Sequence, residues 1–150
     1  MQYKYCLLIL ISLFTGCVYF TKTEPDGNVN RRVFQASYDD TWNAVILSLG
    51  DIPLEKVDKS NGFIKTAWIK GKSEKETSGL LFVRSWKERS RLLINVTSIS
   101  AIDKNAEVTI TLHAEEKAPG GIQGSMWQRK ATDGSFENSL IEKIEQFLTY

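Results

Sequence analysis

Cysteine is almost absent: the 150 residues hold two, Cys6 and Cys17, both near the N-terminus. A disulfide framework or a cysteine zinc site in the body of the chain is therefore excluded. Histidine is scarcer still. His113 stands alone on the polar phase of a strand pattern, with no neighbouring groups for a metal site or a nucleophile–His pair. Charge of one sign is also lacking, since 19 Lys and Arg oppose 18 Asp and Glu. That balance supplies no net field for phosphate backbones or charged ligands, so nucleic acid is not an expected partner. Nor is there a run of about 20 apolar residues, the length a membrane-crossing helix requires.

What is present begins at the N-terminus. Lys4, the apolar stretch Cys6 to Phe14 and the small residues Thr15 and Gly16 before Cys17 have the three parts of a secretory signal. The apolar stretch has nine residues, too few for a stable span. Phe14-Thr15-Gly16-Cys17 resembles a bacterial lipobox, with Phe14 where Leu is usual. The resemblance implies cleavage before Cys17 and acylation of its sulfur. Two acyl chains there suffice for stable membrane attachment. Cleavage would remove Cys6 and Lys4 and leave basic and acidic side chains equal in number. Val18, in place of the Asp that favours inner-membrane retention, points to the outer membrane, facing the periplasm.

Three units are expected: a signal peptide over 1–16, a lipidated cysteine with a polar tether over 17–32, and one domain over 33–150. Ser37 as N-cap, Asp39 and Asp40 in a first turn, and Trp42, Val45, Ile46 and Leu49 on one face predict a helix over Tyr38–Leu49, ended by Gly50 and Pro53. Asn61-Gly62 predicts a hairpin between Leu54–Val57 and Gly62–Lys70. Gly71–Ser78 reads as a charged connection, and Leu80–Trp86 as an apolar strand. Arg91–Ala101 and Ala106–Glu116 predict a second hairpin, with Val108, Ile110 and Leu112 alternating against polar neighbours. Ala118–Gly134 reads as a long loop. The closing segment carries Phe136, Leu140, Ile141, Ile144, Phe147 and Leu148 on one helical face, capped by Asp133 or Ser135. The fold class is therefore α+β: an antiparallel sheet of about five or six strands packed by one short helix and a C-terminal amphipathic helix.

Motifs of catalysis are weak. Asp39 and Asp40 point about 100° apart on a helix and serve the helix dipole, not an acid–base pair. Gly120-Gly121-Ile122-Gln123-Gly124 lacks the Gly-Lys-Ser/Thr ending of a phosphate loop, and Asn95-Val96-Thr97 sits mid-strand.

Tyr38-Asp39-Asp40-Thr41-Trp42 and Asp58-Lys59-Ser60-Asn61-Gly62-Phe63-Ile64-Lys65-Thr66-Ala67-Trp68, followed by strands and a closing helix, resemble the helix-grip domain of the BamC (NlpB-type) lipoproteins. The resemblance covers Val33 to Tyr150 and implies no catalysis and no cofactor. It implies a non-catalytic envelope lipoprotein, a membrane-tethered protein-interaction module assisting outer-membrane protein assembly or envelope integrity. Those lipoproteins have two such domains and a long N-terminal segment, whereas this chain has one domain and a short tether. The alternative is a periplasmic carrier that holds a small apolar ligand or lipid between helix and sheet. Bulky Trp42, Trp68, Phe136 and Phe147 argue for a filled interior, against the carrier. Trp86 among charges, and Met126 and Trp127 in a Gly-rich loop, are candidates for a partner surface. Trp127 can equally fold back to plug the sheet–helix core.

Overall fold

The computed structural model describes residues 29–78, 83–100, 102, 104–120, 124 and 126–149. The chain runs β1 (Val29–Phe34), α1 (Tyr38–Leu49), β2 (Leu54–Asp58), β3 (Phe63–Thr66), β4 (Ile69–Ser78), β5 (Val83–Ser100), β6 (Asn105–Lys117), β7 (Gln128–Lys130) and α2 (Ser135–Thr149). The seven strands form one antiparallel sheet in the order β1-β6-β5-β3-β2, with β4 also on β5 and β7 also on β6. Both helices pack on one face of it in a helix-grip arrangement, and Cys17 and the stretch expected to be a signal peptide lie outside the described residues.

Local chemistry places α1 as its sequence predicts. The Ser37 hydroxyl accepts from the Asp40 N–H, Asp39 and Asp40 occupy the first turn, and Gly50 takes positive φ of 54° just beyond the end. The Asn61-Gly62 turn closes β2 onto β3, with Gly62 at φ 65°. Gly62 is doubly constrained, because a Cβ there would run into the carbonyl oxygen of Val96, whose N–H donates to Gly62 O at 2.8 Å. The β5–β6 hairpin closes at Ser100 and Asn105 as expected.

Four segments differ from expectation. β1 starts at Val29, inside the stretch read as tether, because its backbone pairs with β6 from Thr111 to Ala106 while its side chains stay mostly exposed. Gly71–Ser78 is not a connection but most of β4, an edge strand whose exposed charges show no apolar period and whose backbone pairs with β5. The strand expected to stop near Trp86 instead runs on through Ser100 as one 18-residue strand. β7 lies within the expected loop.

β5 and β6 divide the sheet into two halves. In the first, Ile94, Val96, Val108 and Ile110 meet Trp42, Val45 and Leu49 of α1 and Leu140, Ile141 and Ile144 of α2, forming the core. In the second, β4, β7 and the paired ends of β5 and β6 extend beyond the helical cover.

Candidate functional site

Between the N-terminal turns of α2 and the second half of the sheet lies a cavity of about 500 Å³. Side chains two residues apart on a strand share a face. Glu88, Ser90 and Leu92 of β5 and Leu112 and Ala114 of β6 thus line the floor, with Ile69 at one side. Lys130 to Asp133 and Phe136 form the opposite wall. The lining is apolar in the middle and polar at one end. There the Lys130 ammonium donates to Glu88 Oε2 at 2.7 Å. Directly opposite Glu88 on β6, Glu116 pairs with Lys75 and has one buried oxygen with no partner among the described residues.

The cavity contradicts the expectation of a filled interior. Of the four bulky residues behind that expectation, Trp42 alone is in the core, stacked on Tyr38 with centroids 6.2 Å apart. Phe136 and Phe147 are each 43% exposed, and Trp68, just past the end of β3, projects from the opposite face of the sheet. The periodicity of α2 predicts one continuous buried face, yet Phe136 in its first turn lines the cavity and is a rim residue. That side chain is legible as apolar. The gap behind it depends on the sheet's extension past the helix, which no local pattern encodes.

Two carboxylates, Asp133 just before α2 and Asp58 at the end of β2, are held ionised by hydrogen bonds. Asp133 at the cavity rim accepts from the Ser135 hydroxyl at 2.7 Å and the Ser135 N–H at 3.0 Å, which lowers its pKa below the ordinary carboxylate value. Asp58 is likewise lowered by the side chains of Asn61 and Ser60 and by the Asn61 N–H. Tyr38 is shifted the other way, upward, chiefly by burial, and its hydroxyl donates to the Lys59 carbonyl.

The outer face, away from the helices, carries a different arrangement. Arg89 sits between two indoles, with its guanidinium carbon 4.2 Å from the ring centre of Trp68 and 4.2 Å from that of Trp127. Arg91 lies 4.4 Å over the Trp68 ring and Lys117 6.0 Å over Trp127, so cations and indoles alternate. Glu115 fixes the middle of this stack through Arg89 Nε at 2.6 Å. Trp127 therefore does not plug the helix–sheet core. Met126 beside it is 63% exposed. Trp86 is separated from both, because its even position on β5 turns it to the inner face, where its indole N–H donates to Thr77 Oγ1 at 2.8 Å. His113 stands on the outer face opposite Arg91. Among the described residues no group of three or more His, Cys, Asp and Glu converges as a metal site.

No family model and no curated protein matches the chain. Solved structures do resemble it. A conserved protein from Geobacillus kaustophilus is similar at 14% identity and TM-score 0.36, over 80% of this chain and 90% of that one. The ZhuI aromatase/cyclase from Streptomyces sp. R1128 is similar at 14% identity and TM-score 0.31, over 81% of this chain and 86% of that one. A protein from Thermus thermophilus follows at 11% identity and TM-score 0.24, over 81% of this chain and 87% of that one.

Proposed function

We propose that the protein is a non-catalytic, lipid-anchored module of the bacterial envelope whose helix–sheet cavity binds a small, mainly apolar ligand bearing a polar group. The observation that carries this reading is the cavity of about 500 Å³, apolar along Leu92, Leu112 and Phe136 and ending at the Glu88–Lys130 pair. Its size falls within the roughly 300–1,000 Å³ of small-molecule sites, and a few fixed polar groups in an apolar wall are how such sites orient a ligand. The anchor is proposed on Cys17 and its lipobox-like surroundings. Organic extraction of the chain purified from membranes, followed by mass spectrometry, tests the ligand. A stoichiometric small molecule or lipid supports it, and an empty domain under native purification overturns it.

A second reading, a protein-interaction module of the BamC-like kind, is favoured by β4. Over the described residues β4 pairs with β5 alone, which leaves its other edge open to an added strand. Cross-linking through β4 positions in intact cells, with identification of an envelope protein bound there, separates this reading from the first.

A further inference from the structure

The chain as a whole is almost neutral, yet its charges are not evenly spread. Strand register places Lys72 opposite Lys87, and Lys87 opposite Lys117, in one row across β4, β5 and β6. In the next row but one Lys70 faces Arg89, Arg89 faces Glu115, and Glu115 faces Arg129. All of these side chains share the outer face with Trp68 and Trp127, because each alternates with a residue on the cavity side. Like charges directly opposite one another destabilise a sheet. Three lysines in one row thus carry a folding cost, offset when an anion lies across them.

We infer that this outer face docks on an anionic phospholipid surface, with the row of Lys72, Lys87 and Lys117 on headgroup phosphates and Trp127 and Met126 at the headgroup level. Three features favour a bilayer over an acidic protein. The first is chemical, since basic side chains beside tryptophan are the pairing that interfacial contacts with anionic lipid use. The second is shape: the two cationic rows lie on the exposed face of a sheet and not in a groove. The third is where the chain enters the domain. Val29 pairs with Thr111, so β1 begins midway along β6, at the point from which β6 runs on past it to Lys117 in the lysine row. Cys17 is twelve positions upstream, a reach of no more than about 40 Å. That last feature rests on the anchored reading proposed above. An anchor at Cys17 would hold the cationic half of the domain near the bilayer.

The full chain, purified from membranes in detergent, is reconstituted into vesicles of phosphatidylcholine alone or with about one third phosphatidylglycerol. Nitroxide-labelled headgroups then report tryptophan proximity by quenching. The expected result is strong quenching in the anionic vesicles. It should fall to the neutral-vesicle level in high salt, in a Trp127→Phe variant, and in the combined Lys72→Glu, Lys87→Glu, Lys117→Glu variant. Lys143→Glu, exposed on α2, makes the same kind of charge change elsewhere and should leave quenching intact. Circular dichroism confirms that the reversal variant is folded, and Lys→Gln at the three positions replaces it if it is not. Equal quenching in both vesicle types, or quenching untouched by removal of the lysine charges, overturns the inference, including the case in which the face captures an acidic protein instead. Attachment to neutral vesicles reads the anchor separately. If the purified chain carries no acyl group, flotation of that chain should still show phosphatidylglycerol dependence, weakened about a hundredfold by loss of the three lysines.

Discussion

Lys130 and Glu88 meet at 2.7 Å across the cavity mouth, which ties the three-residue strand leading into α2 to the long central strand β5. Both side chains are about a quarter to a third exposed, so the pair contributes roughly 0–1 kcal/mol to folding. Its larger effect is expected on the ligand proposed for the cavity. Lys130→Met should leave the melting temperature within a few degrees while weakening retention of a ligand with a polar head about tenfold, as measured by titration after delipidation. Unchanged retention would place the polar head elsewhere in the cavity.

Ala114 is 5% exposed and forms part of the cavity floor. Ala114→Phe projects a ring into the empty space, where it meets less of the overpacking penalty of about 1–3 kcal/mol that a filled core exacts. Extraction and mass spectrometry should find the variant folded and free of ligand.

At Gly62 a single added methyl group should have a large effect. Positive φ and the approach of the Val96 carbonyl leave no room for a Cβ. Gly62→Ala should destabilise by at least about 1–3 kcal/mol, read from urea unfolding, with little change in the slope of the transition.

Trp127→Ala removes one indole from the Arg89 stack but leaves Glu115 and Trp68 in contact with the guanidinium. The expected stability loss is about 0.5–2 kcal/mol. By comparison, Ile144→Ala, at a fully buried core position, should cost about 2–5 kcal/mol. Thermal melts of the two variants side by side check the order.

Acid should weaken the fold through Asp133 and Asp58. Their folded pKa values lie below the ordinary carboxylate value, so each contributes stability above that value that is lost as pH falls through about 4 and below. Asp133→Asn and Asp58→Asn should therefore be less stable than the parent at pH 6 and close to it near pH 2. Tyr38 has the opposite sign. Its raised pKa makes its contribution complete below about pH 10 and lost above that range. Melting temperature across pH, for parent and variants, tests all three.

The elements that can be read from sequence are those whose signals are local. Ser37, the spaced apolar residues and Gly50 mark α1, and Asn61-Gly62 marks the first hairpin, because each acts within a few bonds of the backbone it shapes. β4 is illegible for the opposite reason: its residues are charged on both faces, and it is a strand because β5 offers it hydrogen bonds. The Trp68–Arg89–Trp127 stack joins residues far apart in sequence and requires knowledge of register. Trp127 stands out as a loop aromatic. The lysine row that lies beside it does not, because near-zero net charge conceals a one-sided distribution.

One strand serves both halves of the molecule. The later part of β5 pairs with β3 beneath the helices, and its earlier part pairs with β4 beside the cavity. Amide exchange along this strand should therefore grade from slow at Ile94 and Val96 to fast at Ser85 and Lys87, with no break in the hydrogen-bond ladder to β6 between Lys87 and Ser98. An occupant of the cavity would slow the fast end most. β5 would then act as an internal gauge, reporting from within a single element whether the protein is loaded or empty.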